Sequence, residues 1–179
     1  MKKEVLVRLI IENHDGFITK IEHLTDMDFM RSPGPKWSAG QQLEHILKSI
    51  RRTHKAFSLP LSVLKTKFGL SKEPSITYKE LVFRYLNILE LNKNYQLPEE
   101  FFPHMVPIEK KQQKLKELRQ LVHALKDIVD QYNEKNLDAY RIPHPVMGKL
   151  TLREMLYFTA YHVKHHDKQV LKNLELFQS

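Results

Sequence analysis

KKQQKLKELRQLVHALKDIVDQYNE, residues 110–134, decides the fold class of this chain. Its apolar residues fall at Leu115, Leu118, Val122, Leu125, Val129 and Tyr132, in alternating steps of three and four. That period places them on one stripe of an α-helix and matches the seam of a helical bundle. The other faces are rich in Lys, Gln and Glu, which form a solvated surface.

Upstream, a shorter helix is expected over Thr77–Asn92, with Leu81, Tyr85, Ile88 and Leu89 inward. Between it and the quoted helix, Gln96 to Pro107 reads as an extended connection lying over the core, because Phe101, Phe102, Met105 and Val106 need burial. Pro60 and Gly69 break the stretch before the shorter helix. Further back, Trp37-Ser38 opens a long helix, with Ser38 as cap and Gln41 completing a capping box. Leu43, Leu47, Ile50, His54 and Phe57 continue one stripe of it, and Ile46 widens that stripe. Residues 31–36, RSPGPK, are a loop. Lys2 to Thr25 carries Leu6, Ile10, Phe17, Ile21 and Leu24 at helical spacing, interrupted by Asn13. Downstream, a loop ends in IPHPVMGK, residues 142–149, and Thr151 caps a last helix with Glu154 at the capping-box position. No repeat and no strand-like alternation stands out. Four long amphipathic helices with one or two short extra ones predict an all-α four-helix bundle, in a single domain over residues 1–179.

The composition agrees. Hydrophobic residues make up 41% and charged residues 28% of the chain, as in globular rather than disordered proteins. Five glycines are too few for a turn-rich all-β fold. With no cysteine, a disulfide framework, a cysteine nucleophile and a zinc finger are all excluded. Neither a secretory h-region nor a membrane-length apolar stretch is present, so a cytoplasmic location is expected. The formal net charge is +8, but the lysines are scattered among acidic residues, which argues against a dedicated nucleic-acid role.

Chemistry is suggested by three histidines. On the last helix His162 and His166 are one turn apart, so they face the same way and can bind one divalent metal. They border the apolar stripe of Leu152, Leu156, Val163, Val170 and Leu174, beside Met155, Thr159 and Gln169. On the helix opened by Ser38, His45 follows Gln41 and precedes Ser49 by one turn each. A metal would satisfy three imidazoles on two such polar stripes at once. Against this stands chance: ten histidines in 179 residues produce roughly half an H-x3-H pair at random. On spacing alone, a pair of core-edge histidines hydrogen-bonded to the bundle is the better explanation. Position 163 is valine, so the H-E-x-x-H of zinc proteases is absent.

The segments WSAGQQLEHI, residues 37–46, and HPVMGKLTLREM, residues 144–155, the latter running on to YHVKHHDKQ, residues 161–169, resemble the DinB/YfiT-like superfamily. The shared pattern is a tryptophan-serine helix start, a histidine eight residues past the tryptophan, and a closing histidine pair with glutamine three further on. Trp37, Ser38, His45, His162, His166 and Gln169 match it. Together the two motifs are specific; either alone is not. The resemblance implies a four-helix bundle, often a homodimer, with a divalent metal, commonly zinc or nickel, on His45, His162 and His166. Members include proteins assigned as metal-dependent hydrolases and enzymes that use low-molecular-weight thiols, such as bacillithiol transferases and mycothiol-dependent isomerases. The family often has glutamate where this chain has Gln41, which hydrogen-bonds but is a poorer base.

The leading expectation is therefore a metal-dependent enzyme acting on a small molecule, by hydrolysis or by thiol transfer with a small-molecule thiol cosubstrate. Gln41 and Gln169 are the candidates for orienting the imidazoles. His144, between two prolines, is a candidate acid–base group or a turn-fixing residue, and Gln41 a second catalytic candidate. Glu44 and Asp167 adjoin ligand positions but point about 100° around their helices. His165 is expected to be exposed and Trp37 to anchor the core, while Arg153, Tyr157 and Tyr161 either line the pocket mouth or serve in packing or at the surface. Lys48, Arg51 and Arg52 could attract an anionic substrate or cofactor, although a solvated face is the commoner use of such a run. The alternatives are a non-catalytic basic helical module binding a partner or nucleic acid, and a family member that has lost its metal.

Overall fold

The computed structural model describes residues 1–92 and 98–177. The chain runs through α1 (Lys3–His23), α2 (Asp26–Met30), α3 (Ala39–Phe57), α4 (Leu61–Phe68), α5 (Tyr78–Leu91), α6 (Lys111–Asp130), α7 (Glu134–Ala139), a hairpin of β1 (Arg141–His144) and β2 (Gly148–Thr151), and α8 (Leu152–Glu175). The four long helices α1, α3, α6 and α8 form the bundle. Around it α1 packs on α6 and α8, and α3 packs on α6 and α8, while α1 and α3 barely touch. Two of the connections therefore cross the bundle diagonally: α1 to α3 by way of α2, and α6 to α8 by way of α7 and the hairpin. The result makes α3 and α8, 95 residues apart between the end of one and the start of the other (57 to 152), direct neighbours.

Side-chain caps set where the helices begin. Ser38 and Gln41 form a reciprocal capping box at α3, and Thr151 and Glu154 do the same at α8. Thr25 and Thr77 accept from the third residue of α2 and α5. The apolar stripes then meet inside: Phe17, Leu47, Leu118 and Leu156 are all essentially inaccessible to water.

Several stretches differ from their reading in sequence. The break between Pro60 and Gly69 is a helix, α4, which Pro60 precedes and Gly69 ends at φ 78°. Asp26–Met30 and Glu134–Ala139 are also short helices, and α6 stops at Asp130 because Asn133 caps α7. The expected loop before α8 is a β-hairpin, with His144 paired to Gly148 and Arg141 to Thr151. Of the connection expected over Gln96 to Pro107, residues 96 and 97 lie outside the described residues. In the remainder, turning the chain through 3₁₀ segments at Glu99–Phe101 and Ile108–Lys110 points only some residues inward. Val106 is buried and Phe101 half-buried, but Phe102 and Met105 are 48% and 60% exposed. Among the described residues no helix is long and apolar enough to cross a membrane.

Candidate metal centre

Where α3 lies against α8, three buried imidazoles meet. His45 comes from the second turn of α3, and His162 and His166 from successive turns of α8. The Nε2 of His162 is 3.2 Å from Nε2 of His45 and 2.9 Å from Nε2 of His166.

Hydrogen bonds on the far side of two rings decide what those nitrogens can do. His45 Nδ1 lies 2.9 Å from the carbonyl oxygen of Phe101. His166 Nδ1 bonds the Gln42 side-chain oxygen, Oε1. Both oxygens only accept, so each Nδ1 carries the proton and each Nε2 of a neutral ring carries a lone pair. Both lone pairs face His162 Nε2, which has at most one proton to give. A cation between the rings would satisfy all three, and the donor set, three neutral imidazole nitrogens, is one that divalent transition metals take. The two separations, 3.2 and 2.9 Å, are short enough for one ion to be held by all three rings at bonds of about 2.0–2.1 Å. His45, His162 and His166 are the group of described residues able to hold an ion in this way.

Burial keeps the rings neutral. Desolvation pushes the basicity of His162 and His166 well below that of free imidazole, with the neighbouring imidazoles adding to the effect. His45 is lowered too, by desolvation against the opposing bond to Phe101. Aromatic rings pack the cluster: Phe158 stacks on His162 at 4.5 Å, and Trp37 lies parallel to His166 at 6.1 Å. Trp37 is thus a half-buried wall of the site, not a core anchor.

A cavity of about 370 Å³ opens onto the cluster. His144 lines it from the end of β1. Its Nδ1 accepts from the backbone N–H groups of Val146 and Met147, both at 3.1 Å, so the neutral ring carries its proton on Nε2. Burial alone lowers its pKa to about 4. His144 therefore fixes the hairpin turn and faces the cavity at once.

Gln41 and Gln169 do not reach the rings. The Gln41 carboxamide is occupied by the capping box, accepting from Ser38 N at 3.0 Å. Gln169 is half-buried and hydrogen-bonds none of the three imidazoles. The groups that orient the imidazoles are Gln42 and the Phe101 carbonyl. Gln42 had a signal in the sequence, standing three residues before His45 on the same helix; the carbonyl had none.

His165 is half-buried and lines the cavity beside Tyr85, because α5 covers the face expected to meet solvent. Asp167 is held by Lys20 of α1 at 2.6 Å, and Glu44 by Lys114 of α6 at 2.5 Å. Arg153 is buried away from the cavity between Asp138 and Glu134, and Tyr157 is buried behind it. Of the basic run, Lys48 donates to the Phe102 carbonyl and Arg51 pairs with Glu117, while Arg52 reaches the cavity.

Comparison with known proteins agrees with this architecture. The chain is similar in fold to the solved structure of YfiT from Bacillus subtilis, with a TM-score of 0.63 and 15% identity over 99% of this chain and 88% of that one. That protein is described as a probable metal-dependent hydrolase with an unusual four-helix bundle topology. No curated protein matches the sequence. The family match covers residues 12–170, which include all three histidines and both capping boxes, and on that match the chain belongs to the DinB superfamily.

Proposed function

We propose that the protein is a divalent-metal-dependent enzyme with His45, His162 and His166 as ligands and a small molecule as substrate. The observation that carries this reading is the pair of Nδ1 hydrogen bonds, which turn the Nε2 lone pairs of His45 and His166 onto His162 Nε2. Zinc and nickel both suit three imidazoles. A bound ion of this kind supplies Lewis acidity, which acidifies water or a thiol and polarises an electrophile.

The chain's own residues supply the rest. Gln42 and Phe101 hold the ligand rings in one tautomer. Apolar walls from Tyr85, Leu89, Ile142 and Phe158 limit water around the reacting group. His144 holds its proton at Nε2 and is assigned as a hydrogen-bond donor to the substrate; neutral at physiological pH, it is not a strong acid. Gln41, tied up in a helix cap, takes no catalytic part. The absence of cysteine means that a thiol-transfer reaction would draw its sulfur from a low-molecular-weight thiol. The reading retains a homodimer, as the resemblance implies, and the cytoplasmic location expected from the sequence.

Metal analysis of tag-free protein tests the proposal. About one divalent ion per chain is expected, with loss in His45→Ala, His162→Ala and His166→Ala. Equal metal content in wild type and all three variants overturns it. Turnover of an activated ester without thiol would assign hydrolysis; turnover of an electrophile that requires added thiol would assign transfer.

A further inference from the structure

The cavity is directional. One face of α3 forms its floor: His45 at the histidine cluster, then Ser49, Arg52 and Thr53. Seven residues separate His45 from Arg52, so the two lie about 10 Å apart along the helix axis at 1.5 Å per residue. Tyr85 and Leu89 of α5, one turn apart, form a facing wall, and Ile142 and Val146 of the hairpin close another side. Among the described lining residues none is acidic, and Arg52 carries the only permanent charge.

Arg52 is set up to receive an anion. Its guanidinium lies over the Phe101 ring, 4.6 Å from the centroid, which fixes its plane at the cavity edge. Among the described residues its carboxylate partner is Glu100, 3.2 Å from Nη1, and both side chains of that pair are about half exposed. Exposed pairs of this kind are weak and readily exchanged. A guanidinium presents five N–H groups and matches a carboxylate in two-point fashion. A single cation suits a monoanion better than a phosphate dianion.

We infer that the cavity takes an elongated, mainly apolar carboxylic acid, its carboxylate on Arg52, its body along α3 between Leu89 and the hairpin, and its far end at the histidine cluster. The reacting end rests on the metal-enzyme reading above; the binding of the acid does not.

Trp37, the one tryptophan of the chain, lines the cavity and reports occupancy by its fluorescence. The test titrates the full-length protein with octanoate, octan-1-ol and octylamine at about pH 8, where imidazoles are neutral. Each titration is run after EDTA treatment and after loading with zinc. In metal-free protein octanoate is expected to bind roughly tenfold more tightly than octanol, the size of one charge-assisted hydrogen bond, with octylamine weakest. Arg52→Met brings octanoate to the level of octanol and leaves octanol unchanged. The inference is overturned if octanoate binds no better than octylamine, if the preference survives in Arg52→Met, or if no probe binds. A preference seen only with zinc and indifferent to Arg52→Met would put the carboxylate on the metal, sinking this inference and sparing the metal reading. An Arg52-dependent preference in a protein that takes up no zinc would do the reverse.

Discussion

Replacing Gln42 with leucine removes a single hydrogen bond from the candidate centre and leaves every proposed ligand in place. Gln42 is 4% exposed, and its Oε1 is the acceptor that keeps the proton of His166 on Nδ1. Without it the N–H is stranded in the protein interior, a penalty of about 1–3 kcal/mol. The ring can escape that penalty by moving its proton to Nε2, which abolishes the lone pair that faces His162. Either outcome weakens metal binding, and loss of such an outer partner typically lowers affinity about 10–100-fold, or about 1.4–2.7 kcal/mol. Gln42→Glu keeps an acceptor and should bind metal at least as well as wild type. Gln41→Leu is the control. Its amide belongs to the α3 capping box, so it should lose about 1 kcal/mol of stability with unchanged metal affinity. Zinc competition against a chromophoric chelator, with urea unfolding in EDTA, measures both quantities. Wild-type affinity in Gln42→Leu, or an equal loss in Gln41→Leu, would refute this account of how the rings are oriented.

Two further outcomes concern the bundle itself. His14 is buried in α1, and desolvation lowers its pKa to about 4, against 6.5 in the unfolded chain. Between those values the unfolded chain binds a proton that the native state refuses, so stability falls as pH drops through this window. In metal-free protein His14→Leu should reduce the stability difference between about pH 7 and 4.5 by about 2–3 kcal/mol, and an unchanged difference in urea midpoints would count against it. Gly40 lies in the first turn of α3, where a Cβ would stand 3.0 Å from two carbons of the fully buried Phe29 ring and 3.3 Å from Val106 Cβ. Gly40→Ala gains about 1 kcal/mol of helix propensity but overpacks by about 1–3 kcal/mol, so a melting temperature lowered by a few degrees is expected; a raised one would show that Phe29 yields.

Legibility followed the range of the interactions. Repeats of three and four announced α1, α3, α6 and α8, since each buries one continuous stripe. The capping boxes at Ser38 and Thr151 were equally plain, being complete within four residues. Shorter elements were lost. Pro60 and Gly69 read as breaks, yet eight residues of helix fit between them. The hairpin strands span four residues each, and Pro143 weakens any strand pattern in β1. At the site, the chain that folds back over α3 supplied what local pattern could not. The Phe101 carbonyl is 56 residues from His45 and is backbone, so no side chain advertises it. Gln41 drew attention because it stands one turn before His45, at a position where the family often has glutamate, but the capping box it completes makes its amide unavailable.

The orientation of each outer ring is controlled by an element other than its own. His166 of α8 is fixed by Gln42 of α3, and His45 of α3 is fixed by the 3₁₀ segment that ends at Phe101. The cluster therefore forms only when α3, α8 and that connection are packed together, and a cation bound there would stabilise all three contacts at once. A proton is the competing cation. It could bridge only one of the two nitrogen–nitrogen contacts, and burial opposes it at every ring, as the lowered basicities of His45, His162 and His166 express. On the proposed reading, a divalent ion would be held by all three imidazoles and would offset the same desolvation by coordination. Burial thus disfavours the proton at three imidazoles whose Nε2 atoms lie close together, and this, more than the histidine spacing on α8, is what supports the proposed metal site over a pair of core-edge histidines.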